Sequence, residues 1–199
     1  LDEKMMILQR QGRVGFWGAY TGQEAVPIGC AHALEPSDWV FPALREGTIM
    51  LVRGFPLRSY LAQVFGNSGD VAKGRQMPSH MAAREVNQVS WSSCVGPQFP
   101  HAVGAAWAAK LKGDRTVTLG FIGDGATSTA DFHVALNFAG VFHYARFNAA
   151  SAVGEHGVGR SHLQRRHFGC SESQRRKRLG TRQAKAACDV CRARESRLH

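Results

Sequence analysis

The 199-residue sequence has room for one domain and an appendage, and 44% of its residues are hydrophobic and 20% charged. This composition excludes fibrous and low-complexity proteins, and no run of about 18 apolar residues suggests a membrane span. The amino end is charged rather than signal-like, and the five cysteines do not suggest a disulfide framework. We therefore expect a soluble protein in the cytoplasm.

The net charge of +10 is distributed unevenly along the chain. Residues 1–143 hold 12 Lys and Arg against 11 Asp and Glu, whereas residues 144–199 hold 13 against 4. The basic character that would suggest a nucleic-acid partner belongs to the second segment alone.

The predicted elements alternate between amphipathic helices and short apolar runs. Apolar periodicity predicts helices at 1–12, 22–34, 57–65, 99–112 and 126–140, with short apolar segments at 39–41 and 49–52. Thr21 and Glu24 have the spacing of a capping box before the second helix. The β-branched, apolar run from Thr116 to Ile122 is typical of a strand in a parallel sheet. A helix, a strand, a tight glycine turn and another helix predict an α/β fold with an open parallel sheet.

Two segments are candidates for chemistry. Residues 66–101 have no long periodic stretch, and a loop of this length in a compact domain is usually functional. Gly123-Asp124-Gly125 follows the predicted strand, so a carboxylate would lie at the strand's end, where glycines let a phosphate and its metal approach. By itself this triplet is weak evidence for a metal site, because Gly-Asp-Gly after a strand is also a common tight turn.

Five blocks in order resemble a known family. They are RQGRVGFWGAYTGQEAVPIG, DWVFPALREG, FGNSGDVAKGRQMPSHM, SSCVGPQFPHAVGAAWAAKLKG and GFIGDGATSTADFHVALNFAGVF. Together they resemble the alpha subunit of the thiamine-diphosphate-dependent 2-oxo acid dehydrogenases. The KGRQMP block is more similar to the branched-chain branch than to the pyruvate branch.

The resemblance implies a thiamine-diphosphate-binding open parallel sheet with flanking helices. It also implies oxidative decarboxylation of a small 2-oxo acid, with Mg²⁺ and thiamine diphosphate bound between alpha and beta subunits of an α2β2 heterotetramer. A lipoyl-bearing acyltransferase would accept the acyl group. The alpha chain would anchor the cofactor, and no catalytic residue is assigned to it.

The resemblance also implies roles for individual residues. Asp124 matches a Mg²⁺ ligand, and Arg45 matches an arginine on the diphosphate, next to Leu44 where the family usually has tyrosine. The other matched positions are the diphosphate turn (Gly123, Gly125, Ala126), the aminopyrimidine contacts (Ser93, Val95) and a loop that binds K⁺ in branched-chain members (Ser92, Cys94, Pro97, Gln98). Pro97 replaces a threonine that would offer a hydroxyl ligand.

Plainer readings compete with these roles. Arg45 and Glu46 could be a solvated pair at the start of a helix, and Ser92 and Ser93 ordinary loop residues. His80 and His101 are read as loop and surface residues rather than catalysts.

The resemblance stops near residue 143. The family continues to an apolar strand and an Asn-Asn pair whose second member completes the Mg²⁺ shell, but no Asn-Asn pair occurs here. We expect no buried strand after Phe142, which leaves the strand at 116–122 with an unpaired edge. The predicted organisation is a partial dehydrogenase domain at 1–143 and a basic, low-order tail at 144–199.

Several explanations of the tail stay open. We favour a shift of reading frame near His143, because an amino-acid sequence rich in Arg and Ala is typical of GC-rich DNA translated out of frame. A catalytically inactive truncated subunit is a second reading. A basic nucleic-acid arm around 165–166 and 175–178 is a weaker one. The weakest is a zinc site formed by Cys170, Cys188, Cys191 and His199.

Overall fold

Three parallel strands form the sheet of the computed structural model, which describes residues 1–142 and the backbone of residues 147–151. Strand β1 (Trp39–Phe41) pairs with the central strand β2 (Thr118–Ile122), which pairs with β3 (Phe147–Ser151). The register places Phe41 opposite Gly120 and Ile122 opposite Ser151. The carboxyl ends of all three strands therefore meet at one edge of the sheet.

Strand β3 corrects the expectation that no strand follows Phe142. Its backbone pairs with the whole length of β2, so the expectation of an unpaired edge on β2 is wrong. Its sequence, FNAAS, is short and lacks a long β-branched run, which is why apolar patterning did not reveal it. Backbone pairing requires only amide and carbonyl groups, which every residue of this segment has.

Helices cover both faces of the sheet. On one face, Val40 and Leu119 pack in a cluster with Val26 and Cys30 of α2 (Ala25–Ala33). On the other, Phe41 and Ile122 pack against α5 (Gln98–Lys112) and α6 (Ala130–Val141). Ala102 and Ala106 of α5 are almost fully buried there, because small side chains let the helix lie close to its neighbours. The mixed helical and parallel-sheet architecture agrees with the predicted class.

A third cluster lies beside the sheet and joins the amino-terminal segment to the middle of the chain. It contains residues from α1 (Asp2–Arg10), α3 (Thr48–Val52) and α4 (Leu57–Phe65). Its aromatic members are Trp17, Tyr20, Tyr60 and Trp91. Helix α4 ends at Gly66, whose left-handed backbone (φ 61°) suits glycine.

Two predicted helix starts differ from the structure. The capping box at Thr21 and Glu24 does not form, because the Thr21 hydroxyl donates to Asp2 and the Glu24 carboxylate accepts from Gly22 N–H. The helix predicted from residue 126 begins at Ala130, since residues Asp124–Ser128 form a 3-10 turn. The Thr129 side chain then caps α6 by accepting from Phe132 N–H.

Among the described residues, none of the helices is long and apolar enough to cross a membrane. The readings placed on the tail, which are the frame shift, the nucleic-acid arm and the zinc site, concern residues outside that range except for the β3 backbone. The domain boundary at residue 143 stays a prediction, and β3 lies beyond it.

Candidate cofactor site

Arg45 and Asp124 lie beyond the carboxyl ends of adjacent parallel strands. Arg45 is four residues past Phe41, and Asp124 is two residues past Ile122. Since Phe41 is in register with Gly120, both side chains are at the same edge of the sheet. In open α/β sheets, ligands bind in the crevice at this edge.

The turn that follows β2 leaves space for a ligand. Asp124 is exposed, and a Cβ atom added to Gly123 or Gly125 would have no heavy atom within 4 Å. Ala126 is buried and anchors the turn in the core. The Thr127 hydroxyl donates to the Asp124 carbonyl at 2.6 Å and so bridges the two ends of the turn.

The loop at 92–98 approaches the end of β2 and the start of α6, on either side of this turn. The Gln98 side-chain amide donates to the Phe121 carbonyl at 2.7 Å, so the first residue of α5 is tied to the end of β2. A Cβ atom on Gly96 would lie 2.7 Å from the Thr129 hydroxyl, which shows how closely the loop approaches the start of α6. Within the loop, Cys94 N–H donates to the Ser92 hydroxyl at 3.2 Å. Ser93 and Val95 are exposed at the surface.

The segment predicted to bind K⁺ is held by one bond within the loop and by one to the end of β2. Gln98 is buried and uses its amide nitrogen on Phe121, and Pro97 has no hydroxyl to offer.

Arg45 lies in the turn after β1, where both its backbone and its guanidinium form hydrogen bonds. Its guanidinium Nη1 donates to the Ala19 carbonyl at 2.7 Å. Its backbone N–H donates to the Glu46 carboxylate at 3.1 Å. Glu46 is 4% exposed, so the reading of Arg45 and Glu46 as a solvated pair is wrong. Leu44 is half-buried beside Gly18.

Burial also changes the acidity of Glu46. Removal of the carboxyl from water raises its pKa to about 7, and hydrogen bonds from Ala43 and Arg45 N–H partly oppose that rise. The guanidinium of Arg45 opposes it further.

His80 lies in a loop, as expected, but it is buried and contacts Ser93, which the sequence did not indicate. It is 8% exposed and lies between the Pro78 carbonyl, 2.9 Å from Nδ1, and the Ser93 hydroxyl, which contacts Nε2. Because a carbonyl only accepts, Nδ1 carries the hydrogen and Nε2 accepts from Ser93. Thirteen residues separate this pair in sequence, and no motif spacing connects them. His101 is on the exposed side of α5, as expected.

The donor set at the edge suits Mg²⁺ better than a transition metal. Within the described residues, no group of three or more His, Cys, Asp or Glu side chains comes together. Asp124 is an exposed carboxylate beside open space, and Mg²⁺ is typically held by one or two carboxylates together with phosphate oxygens and water. The residues present fit a metal that arrives with a phosphate group.

An open α/β edge with an arginine, a carboxylate and a glycine turn is typical of an enzyme that binds a phosphorylated cofactor. Residues 1–146 match the family described as "Dehydrogenase E1 component", and the chain belongs to this family.

Similar proteins indicate the branch of the family to which the chain is most closely related. The chain is 44% identical over 141 residues to the 2-oxoisovalerate dehydrogenase subunit alpha 2, mitochondrial, of Arabidopsis thaliana, covering 71% of this chain and 30% of that protein. The corresponding subunit of Dictyostelium discoideum is 42% identical over 139 residues (70% of this chain, 32% of that protein). That of Homo sapiens is 41% identical over 139 residues (70% and 31%). The chain thus spans about a third of the length of these relatives.

These findings confirm the resemblance to the branched-chain alpha subunits and correct the expected location. The relatives are named as mitochondrial subunits, so the expectation of a cytoplasmic protein is wrong. It depended on composition, on a charged amino end and on the number and placement of the cysteines, and none of these features identifies the compartment.

Proposed function

We propose that this chain is the cofactor-anchoring part of the alpha subunit of a branched-chain 2-oxo acid dehydrogenase, with pyruvate as the next candidate substrate. The observation that carries the proposal is the meeting of three segments at one edge of the sheet. The parallel register brings the 43–47 turn and the 123–126 turn together. The Gln98 bond to Phe121 brings the 92–98 loop to the same place.

Arg45 would hold the diphosphate of thiamine diphosphate. Its Nη1 is directed at the Ala19 carbonyl, and a guanidinium has five N–H donors in a fixed planar arrangement. That geometry matches the oxygens of a phosphate group. The usual tyrosine is Leu44 here, so one hydrogen bond to the diphosphate would be missing.

Asp124 would ligate Mg²⁺, and Gly123, Gly125 and Ala126 would line the diphosphate turn. Ser93 and Val95 would present groups to the aminopyrimidine ring, with the Ser93 hydroxyl oriented by His80. Ser92, Cys94, Pro97 and Gln98 would form the K⁺ loop. When bound, the cofactor supplies a nucleophilic carbon and an electron sink for decarboxylation.

The remaining parts of the reaction would come from partners. A beta subunit would complete the site in an α2β2 assembly, and a lipoyl-bearing acyltransferase would accept the acyl group. This division agrees with the roles proposed for the residues described here, which would bind and orient a cofactor.

Cofactor binding by the full chain, measured with its beta partner by titration calorimetry, tests the proposal. We expect Mg²⁺-dependent binding of thiamine diphosphate that Arg45→Ala weakens and Asp124→Ala makes independent of Mg²⁺. Arg58→Ala, on the exposed side of α4, and Asp131→Asn, on the exposed first turn of α6, are matched controls that should change neither. No binding up to millimolar cofactor, or an unchanged Mg²⁺ response in Asp124→Ala, would show the assignment to be wrong.

A further inference from the structure

The turn that presents Arg45 is built around a buried carboxylate. One oxygen of Glu46, Oε2, accepts from both Ala43 N–H at 2.9 Å and Arg45 N–H at 3.1 Å. The Glu46 side chain is almost fully buried, whereas the Arg45 side chain is exposed. The carboxylate therefore draws the backbone of the turn inward on one side while the guanidinium faces outward on the other.

The same residue links the turn to the next helix. The Glu46 carbonyl accepts from Ile49 N–H at 3.0 Å, in the first turn of α3. The backbone that follows Glu46 is therefore held by α3, whatever the Glu46 side chain does. A change in that side chain would alter the conformation of the preceding residues, Ala43, Leu44 and Arg45.

The residue after Glu46 lies close to two buried tyrosines. A Cβ atom on Gly47 would overlap the Tyr60 hydroxyl and would lie 2.6 Å from the Tyr20 hydroxyl. The chain at the next residue is therefore already pressed against two buried tyrosines. The bonds that the Glu46 carboxylate accepts within the turn are the contacts that hold the backbone on the amino side of Glu46, including that of Arg45.

The far end of the arginine is held by a fixed acceptor. The Ala19 carbonyl, which accepts from Arg45 Nη1, directly precedes two residues that Asp2 holds in place. The Asp2 carboxylate accepts from Tyr20 N–H at 3.2 Å and from Thr21 N–H at 3.1 Å. Only the backbone of Arg45 needs to be fixed for the whole side chain to have one direction.

We propose that Glu46 is a positioning residue, whose carboxylate sets the direction in which Arg45 faces a diphosphate by accepting from Ala43 and Arg45 N–H. This inference rests on the proposed cofactor site. It assigns a role to a side chain that does not touch the ligand.

Two variants of similar size distinguish a role of Glu46 in positioning Arg45 from a role in filling space in the core. Glu46→Gln keeps an oxygen that accepts from both amides, whereas Glu46→Met fills the same space with no acceptor. We expect Glu46→Met to weaken binding of Mg²⁺-thiamine diphosphate by roughly tenfold, which is typical for loss of hydrogen bonds to a charged group. We expect Glu46→Gln to retain affinity within about threefold. In the Arg45→Ala background, Glu46→Met should cause no further loss.

Asp38→Asn is a control for the general effect of altering a buried acid. Asp38 is fully buried and accepts backbone N–H bonds from Glu35 and Val117, at the start of β1. Its variant should lower stability without an Arg45-dependent change in affinity. Equal losses from Glu46→Met with and without Arg45 would overturn the proposal.

Amide hydrogen exchange by NMR on the full chain gives a readout that needs no ligand. We expect Glu46→Met to increase exchange of the Ala43 and Arg45 amides and to shift the Arg45 guanidinium resonances, with the β2 amides unchanged. Protected Ala43 and Arg45 amides in that variant would overturn the positioning role even if the cofactor binds. If the unaltered chain binds no cofactor, the proposed function fails, and the exchange result alone decides whether Glu46 sets the turn.

Discussion

The side-chain amide of Gln98 and the main-chain carbonyl of Phe121 form a buried hydrogen bond of 2.7 Å across 23 residues of sequence. This bond joins the first turn of α5 to the end of β2. It ties the end of a loop predicted to be functional to the strand that precedes the glycine turn predicted to hold a metal.

Replacing Gln98 with leucine should lower the free energy of unfolding by about 1–2 kcal/mol, because a buried hydrogen bond is lost and its acceptor loses its partner. Gln98→Glu should cost more, since a carboxylate would face a carbonyl oxygen. Urea unfolding measures both. Gln11→Leu, at an exposed position after α1, is the control and should stay within about 0.5 kcal/mol of the parent. Equal midpoints for Gln98→Leu and Gln11→Leu would contradict the role given to this bond.

Gly47→Ala should destabilise the protein by about 2–3 kcal/mol, because the new methyl group would overlap the hydroxyls of Tyr60 and Tyr20. Tyr60→Phe removes one of those hydroxyls, so the double variant should cost less than the sum of the single changes. Thermal and urea unfolding of the four proteins in this cycle give the coupling. Gly104→Ala, on the exposed side of α5 with nothing within 4 Å, should instead stabilise slightly. Additive costs for Gly47→Ala and Tyr60→Phe would show that the overlap is relieved elsewhere.

Glu46 should make stability depend on pH. Its pKa is about 7 in the folded protein against an ordinary value of 4.5, so the folded state binds the proton more tightly than the unfolded state does. The stabilisation is then complete below about pH 4.5 and is lost as the pH rises through about 7, by on the order of 3 kcal/mol. Urea midpoints between these pH values should fall more steeply for the parent than for Glu46→Gln. Parallel pH profiles for the two proteins would refute the shift.

Cofactor affinity of this chain, even with its beta partner, should be far weaker than that of a full-length family member. The sequence lacks the Asn-Asn pair that completes the Mg²⁺ shell in the family, and Leu44 replaces a tyrosine on the diphosphate. Calorimetry with Mg²⁺-thiamine diphosphate measures this directly. A dissociation constant in the micromolar range or below would be incompatible with the prediction.

Translating the gene in its other two frames from about codon 143 should reveal an apolar strand, an Asn-Asn pair and further blocks of the family. Charge changes sharply at this point, from 12 basic and 11 acidic residues before it to 13 and 4 after it. The family match also ends at residue 146. Early stop codons without such blocks in both frames would show that the tail is a genuine part of the protein. The hypotheses of a nucleic-acid arm and of a zinc site would then be favoured again.

The sequence by itself determined the elements whose signals are local. The helix at Leu57–Phe65 begins after Pro56 and ends at Gly66 as predicted, since both flanking residues have restricted or special backbone preferences. The apolar run before Gly123 predicted the central strand, and five ordered blocks predicted the family that the comparisons confirm. Arg45 and Asp124 were identified as candidates from those blocks.

Only the tertiary structure decided which of these residues meet and what supports them. The burial of Glu46 beneath Arg45, and the contact of His80 with Ser93, depend on packing between distant segments that no local spacing encodes. The failed capping box has the same cause, because Asp2 competes for the Thr21 hydroxyl from 19 residues away. Strand β3 forms although its sequence lacks a strand pattern, because the edge of β2 offers backbone donors and acceptors that any extended segment satisfies.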